Sequence, residues 1–170
     1  TQYQNLSYCH QGWLSEDRQY LYINDELDEG SKVSETTTRV FDVSNPASPS
    51  FLGTFTTGLP ATDHNLYVRG NHIFEANYKS GLRIFDATDP LSPVEIAYLD
   101  TSPLDDADGF HGAWGNYPFF PSGTVIGSDL ERGLFVWEVD TKRIVFEFPG
   151  GVPEELETGG WHSPLTDRGL

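Results

Sequence analysis

The pattern of apolar and polar residues along the chain is that of short β-strands separated by turns. In residues 64–69 (HNLYVR), Leu66 and Val68 follow His64 on one face of a predicted strand, and the intervening residues point to the other face. Glycine-containing turns and Asp-Pro loops end each such run. No stretch keeps a helical period over several turns, so the pattern predicts an antiparallel all-β fold.

The chain also repeats itself. Residues 38–57 overlay residues 82–101 without a gap, and a third copy at 133–150 keeps the Gly-Leu entry but loses the prolines. The first two copies match, at a constant offset of 44, in the pairs Phe41 and Phe85, Asp42 and Asp86, Pro46 and Pro90, and Pro49 and Pro93. Repetition at a period of 20 to 50 residues is typical of solenoids and propellers.

Each unit is predicted to be a four-stranded antiparallel meander, which is the pattern of a β-propeller blade. We therefore expect one all-β domain over residues 1–170, a propeller segment of about three blades. The blades are predicted at approximately 8–57, 62–101 and 109–150, with 160–170 as the start of a further blade or a tail. Residues 116–124, rich in aromatic residues and proline, are expected to form a packed flap at one propeller face.

Three blades cannot close a ring, since closed propellers have four to eight. We expect the remaining blades of the same protein, or another chain, to cover the apolar faces at both ends of the segment. These faces are predicted around Tyr8, Trp13, Phe146, Phe148 and Trp161.

The net charge of the chain limits the kinds of molecule that it can bind. With 10 basic and 26 acidic side chains, the formal net charge is −16, so nucleic-acid binding is excluded and anionic lipid surfaces are disfavoured. No apolar run is long enough for membrane insertion. High acidity is typical of a salty or extracellular milieu. Cys9 has no partner for an internal disulfide and, at the head of an apolar strand, is expected to be buried.

Three segments carry a family resemblance: CHQGWLSEDRQYLYINDELDE, DHNLYVRGNHIFEANYKSGLRI and DGFHGAWGNYPFFPSGTVIGSDLERGLFV. With GLRIFDATDPLSPVEIAYLDT, they resemble the LVIVD repeat and the secreted bacterial proteins called choice-of-anchor B. The resemblance covers roughly residues 8–140. It implies a β-propeller located in the extracellular space, at the cell surface or in the periplasm, and it implies no catalytic residues.

One histidine stands at the start of each unit, followed three residues later by an aromatic residue. The histidines are His10, His64 and His111, with His162 near the end of the chain. Because the first strand of a blade lies nearest the propeller axis, these imidazoles could converge and bind Zn²⁺ or Cu²⁺. The alternative is that each histidine ties its blade to the next by a hydrogen bond. Recurrence fits this alternative better, because a repeat duplicates its structural residues.

Two acidic segments, residues 24–30 and 105–109, offer the oxygen ligands that Ca²⁺ prefers. The candidate calcium ligands are Asp25, Asp28, Asp105, Asp106 and Asp108. Neither segment matches the spaced twelve-residue calcium loop, and acidic turns are expected on a chain of this charge.

The familiar motifs of nucleophilic, zinc-protease and nucleotide-binding sites are missing from the sequence. The sequence therefore favours a non-catalytic, extracytoplasmic scaffold that presents loops to a protein or glycan partner. The alternative is a metal-dependent enzyme, an oxidoreductase, that uses the histidines at the propeller axis.

Overall fold

The structure is a computed structural model that describes residues 2–139. Within this part of the chain every regular element is a β-strand, and the strands form three antiparallel sheets. The prediction of an all-β fold is therefore confirmed. No helix among the described residues is long and apolar enough to cross a membrane.

The first sheet has four strands that pair in chain order. They are β1 (Cys9–Leu14), β2 (Tyr20–Asp25), β3 (Thr37–Asp42) and β4 (Ser50–Thr56). The prediction that Cys9 would be buried was wrong: its thiol is exposed at the edge of this sheet, where β1 begins.

The second sheet has the same order, and a glycine fixes its second turn. Its strands are β5 (Asn65–Arg69), β6 (His72–Ala76), β7 (Leu82–Asp86) and β8 (Val94–Leu99). Gly81, just before β7, has a φ of +77°, and an added Cβ would lie 2.0 Å from the carbonyl oxygen of Leu99. Only glycine combines this backbone conformation with so close an approach.

The third sheet contains β9 (Ala113–Tyr117), β10 (Thr124–Asp129) and β11 (Gly133–Glu138), with β10 in the centre. The fourth strand predicted for this unit lies outside the described residues. So do residues 160–170 and the predicted edge residues Phe146, Phe148 and Trp161.

The repeat is visible in the structural detail of the first two sheets. The pairing of β3 with β4 is irregular between Val40 and Phe41, and that of β7 with β8 between Ile84 and Phe85, 44 residues later. After each sheet's third strand an aspartate caps the turn. Asp42 accepts the backbone N–H of Ser44, and Asp86 accepts that of Thr88, both at 2.8 Å.

Both faces of the second sheet are buried. Ile73 of β6 packs toward the first sheet, and Phe74, the next residue, packs toward the third. The core on the first side contains Tyr22, Val40, Phe55, Leu66, Val68, Ile73 and Phe85. The core on the other side contains Phe74, Leu82, Ile84, Ala97, Leu99, Val125, Phe135, Trp137 and Val139.

The first strands of the sheets are neighbours, with β1 beside β5 and β5 beside β9. The Gln11 side chain binds both the carbonyl and the N–H of Leu66, and Tyr78 exchanges two backbone hydrogen bonds with Ala113. Stacked four-stranded sheets with adjacent first strands are the arrangement of propeller blades. The described chain is thus consistent with a partial β-propeller.

The loop between β9 and β10 packs against the first strands through its aromatic residues. The Phe119 ring lies 5.8 Å from that of Trp13 and 5.9 Å from that of Tyr67, and Phe120 lies 5.1 Å from Tyr117. This loop is the packed flap expected from residues 116–124.

Burial of Leu66 between the first two sheets generates a stability prediction. Leu66 is fully buried, so Leu66→Ala should lower the free energy of unfolding by about 2–5 kcal/mol through lost burial and the cavity left behind. Leu104→Ala is the matched control, because Leu104 is 91% exposed and should be neutral. Urea unfolding of both variants tests this, and equal stabilities would contradict the packing described here.

Candidate metal centre between the first two sheets

Three metal-binding side chains meet where the first two sheets face each other. His10 lies on β1, Glu26 directly follows β2, and His64 directly precedes β5. One donor atom from each lies within 4.8 Å of the others. His10 Nδ1 is 3.2 Å from Glu26 Oε2, and His64 Nε2 is 3.7 Å from Glu26 Oε1.

These distances suit a bound transition metal. Zn²⁺ binds nitrogen and carboxylate ligands at about 2.0–2.2 Å, which places the donor atoms of a tetrahedral site about 3.4 Å apart. Two histidines and one carboxylate are a common catalytic or open metal set, and they leave one position for another ligand. Because the rings of His10 and His64 stack nearly parallel, one ring has to turn before both nitrogen lone pairs can point at the same ion.

The His64 ring is fixed in an orientation that suits metal binding. Its Nδ1 contacts the backbone carbonyl oxygen of Trp114, an acceptor, and lies 2.7 Å from the side-chain amide nitrogen of Asn65, a donor. In the tautomer that donates to Trp114, the lone pair is on Nε2, which faces Glu26. Metal-binding histidines usually donate their second ring N–H in this way.

Burial also favours the neutral form of His64. The side chain is 2% exposed, and this burial lowers its pKa, an effect offset in part by the Trp114 carbonyl and the Glu26 charge. A metal binds the neutral imidazole, so the environment favours the form that coordinates. His64 is further enclosed by the rings of Trp114 at 4.5 Å and Tyr78 at 4.8 Å.

Tyr78 positions the carboxylate. Its hydroxyl donates a hydrogen bond of 2.6 Å to Glu26 Oε1, and burial followed by this contact raises the pKa of Tyr78. The ring of His10 stacks on that of His64 at 4.4 Å and 21°. His10 is 26% exposed on its side chain, so solvent reaches the site from the first sheet.

Of the four predicted histidine ligands, the structure brings His10 and His64 together. His111 lies elsewhere, with 67% of its side chain exposed and its Nδ1 2.8 Å from Glu131 Oε1. Glu131 also accepts the N–H of Gly112 at 2.8 Å, so this pair forms part of a turn. His162 lies outside the described residues.

The predicted calcium ligand Asp25 is already engaged by the N-terminal segment. It accepts hydrogen bonds from the Tyr3 hydroxyl at 2.7 Å, from the Ser7 N–H at 2.9 Å and from the Tyr8 N–H. Asp28 is fully buried and pairs with the Arg39 guanidinium. Both carboxylates therefore have protein partners.

The other three predicted calcium ligands lie in the loop before β9. Asp105 is exposed and forms an ion pair of 2.7 Å with Lys79. Asp106 has one buried oxygen without a hydrogen-bond partner, and Asp108 lies against Gly30, with Oδ2 2.8 Å from where a Cβ of that residue would stand. The described residues hold these three carboxylates in different surroundings.

Sequence reasoning missed Glu26. It is one of four acidic residues between positions 25 and 29, and what distinguishes it is a tertiary contact, because it faces Tyr78 of the second sheet. One feature of the sequence could have indicated Glu26. It directly follows the predicted second strand, whose end pairs with the start of β1, where His10 lies.

Comparison with known proteins supports the repeat. The LVIVD repeat model matches residues 39–57 and 63–101. The first match covers β3 and β4, and the second covers the whole second sheet with His64. No curated protein matches the chain.

The contacts of Asp25 predict a structural role. Asp25→Ala should release the segment before β1 and lower the free energy of unfolding by about 1–3 kcal/mol, because partly buried hydrogen bonds to a charged acceptor are lost. Hydrogen exchange should show faster exchange at Ser7 and Tyr8. Asp105→Ala, which removes an exposed carboxylate, should leave both amides unchanged; unchanged exchange in Asp25→Ala would contradict this role.

Proposed function

We propose that the protein is an extracytoplasmic propeller scaffold that binds a divalent transition metal, Zn²⁺ or Cu²⁺, at His10, Glu26 and His64. The observation that carries the proposal is the spacing of the three donor atoms, all within 4.8 Å of one another. The extracytoplasmic location is supported by the net charge of −16, and it is what the resemblance of the sequence to the secreted choice-of-anchor B proteins implies.

The metal joins two blades in this proposal. His10 and Glu26 belong to the first sheet and its loop, and His64 belongs to the second. A bound ion therefore cross-links the sheets at the face where the first strands begin, and it fixes the loop after β2. Three protein ligands would leave one position on the ion open, and the partly exposed His10 side chain would give a donor atom of a partner access to it.

This proposal predicts a Zn²⁺ affinity that depends on all three side chains. His10→Ala and Glu26→Gln should each weaken Zn²⁺ binding by more than about 100-fold, because changes outside the ligand shell alone cost 10- to 100-fold. Isothermal titration calorimetry of the chelator-treated protein measures the affinity and should give one Zn²⁺ per chain. His72→Ala is the matched control, because His72 lies on β6 away from the site.

Two results would contradict the metal site. The first is a wild-type affinity equal to that of Glu26→Gln. The second is a loss of binding in His111→Ala equal to that in His10→Ala, which would support the sequence-based three-histidine arrangement instead. The enzyme alternative, an oxidoreductase, is supported if the Cu²⁺-loaded protein turns over a phenolic substrate and Glu26→Gln abolishes this activity.

A second candidate function is glycan binding, favoured by an exposed aromatic surface. Trp13 is 38% exposed at the edge of a cleft of about 480 Å³ that Phe119, Leu21 and Val68 also line. Glu16 and Arg18 add charged hydrogen-bonding groups to the same cleft. An aromatic platform with polar groups beside it suits a sugar, whose apolar face stacks while its hydroxyls bind the polar groups.

If the cleft binds glycans, removing the exposed Trp13 ring should lower the affinity for them. Trp13→Ala should weaken binding of any recognised soluble polysaccharide at least about 10-fold, since a buried aromatic contact contributes about 1–2 kcal/mol or more. Affinity electrophoresis against a polysaccharide panel measures this. Phe51→Ala, which removes an exposed ring on β4, is the control and should bind as the wild type does. Equal retardation of Trp13→Ala and wild type would contradict a glycan site in this cleft.

A further inference from the structure

An excess of buried negative charge lies where the first two sheets meet. Five acidic side chains there are at most 7% exposed: Asp25, Asp28, Glu29, Asp63 and Glu75. Two buried guanidinium groups, of Arg39 and Arg83, are the positive charges beside them. Burying a carboxylate is costly unless it is paired or bound to a metal.

Most of these carboxylates have partners in the protein. Besides Asp25 and Asp28, described above, Glu75 accepts hydrogen bonds from the Thr38 hydroxyl at 2.7 Å and from the Asn77 amide at 3.0 Å. Its buried position still raises its pKa to about 7. Asp28 nonetheless has one buried oxygen, Oδ1, without a hydrogen-bond partner. Of the remaining two acids, Asp63 accepts the Asp25 N–H and the Asn24 amide through Oδ2, each at 3.2 Å.

Glu29 and Asp63 together present three buried oxygens without a hydrogen-bond partner: both of Glu29 and Oδ1 of Asp63. Glu29 lies in the loop after β2, and Asp63 lies before β5, so the pair spans the two sheets. Burial, and then the charge of Asp63, raises the pKa of Glu29. The backbone N–H groups of Glu29 itself, of Asp63 and of Thr37 lie near enough to offset this increase in part, but neither Glu29 oxygen meets the criteria for a hydrogen bond.

A neutral side chain at the same place also lacks a partner. Asn24 is fully buried, and its amide nitrogen donates to Asp63 Oδ2 at 3.2 Å and to the Thr38 hydroxyl at 3.1 Å. Its carbonyl oxygen, Oδ1, is buried without a hydrogen-bond partner. Asn24 is not an acid, so it indicates independently that an oxygen-binding group belongs here.

We propose that Glu29, Asp63 and Asn24 form a Ca²⁺ site between the first two sheets. Ca²⁺ binds six to eight oxygens at 2.3–2.6 Å, and it accepts carboxylates and amide carbonyls. A single shared proton would bridge two of the three unpartnered carboxylate oxygens and leave the third without a partner. A calcium ion coordinates all three, together with Asn24 Oδ1.

The ligand chemistry separates this site from the transition-metal centre. Its donors are all oxygen, which favours a hard cation, whereas two imidazole nitrogens favour Zn²⁺ or Cu²⁺. The ligands also differ from the acidic residues predicted from sequence for Ca²⁺. The proposal does not depend on the proposed function, because no ligand is shared.

The test uses the full chain, treated with EGTA and then titrated with CaCl₂. Calorimetry should show one Ca²⁺ per chain, and millimolar Ca²⁺ should raise Tm by on the order of 5 °C. Glu29→Gln and Asp63→Asn should each weaken Ca²⁺ binding about 10-fold or more, because the site loses ligand charge. Glu35→Gln is the matched control, because Glu35 lies in the same loop and accepts a hydrogen bond from Thr56.

Either of two results would contradict the proposed Ca²⁺ site. One is a wild-type Tm that Ca²⁺ leaves unchanged, with Glu29→Gln more stable than wild type in EGTA, as expected of a proton-neutralised pair. The other is a Ca²⁺ affinity that Glu29→Gln and Asp63→Asn retain in full. Zn²⁺ titration of these two variants should give the wild-type affinity, so failure of one metal site is distinguishable from failure of the other.

Discussion

Burial of the second sheet on both faces is the constraint on which the rest of this structure depends. Successive residues of a strand point to opposite sides, so β6 places Ile73 in one core and Phe74 in the other. With both faces covered, the sheets must stack, and their first strands must lie side by side. The position of His10 against His64 follows, because each stands at the start of such a strand.

Much of the fold could be predicted because its signals are local. The 44-residue offset reappears in the bulges at Val40 and Ile84 and in the capping aspartates Asp42 and Asp86, which depend on a few neighbouring residues. The convergence of His10 and His64 also follows from strand position. His111 differs because it stands two residues before β9, whereas His64 stands one before β5. A shift of one residue along a strand turns a side chain to the other face of the sheet, so His111 points away from the position that His64 occupies.

The polar residues of the site were less predictable, because their roles depend on tertiary contacts. In the sequence the acidic residues between positions 25 and 29 look alike. In the structure Asp25 binds the N-terminal segment, Glu26 faces Tyr78, Asp28 pairs with Arg39, and Glu29 is buried without a hydrogen-bond partner. These assignments depend on which element packs against each residue. A single sequence carries no local signal for that choice.

The net charge of −16 comes from buried as well as exposed acidic residues. Acidic residues on the surface favour solubility, but some of these carboxylates are buried between the sheets, where they repel one another in a medium of low dielectric. Asp63 and His64 are consecutive residues whose side chains point in different directions. Asp63 contacts Asn24, and His64 faces Glu26. The same short segment thus places an acid in the oxygen-lined interface and an imidazole in the metal centre. The contact between the sheets is polar at this end and apolar along the strands, so cations would stabilise the part of the interface that burial of apolar side chains does not.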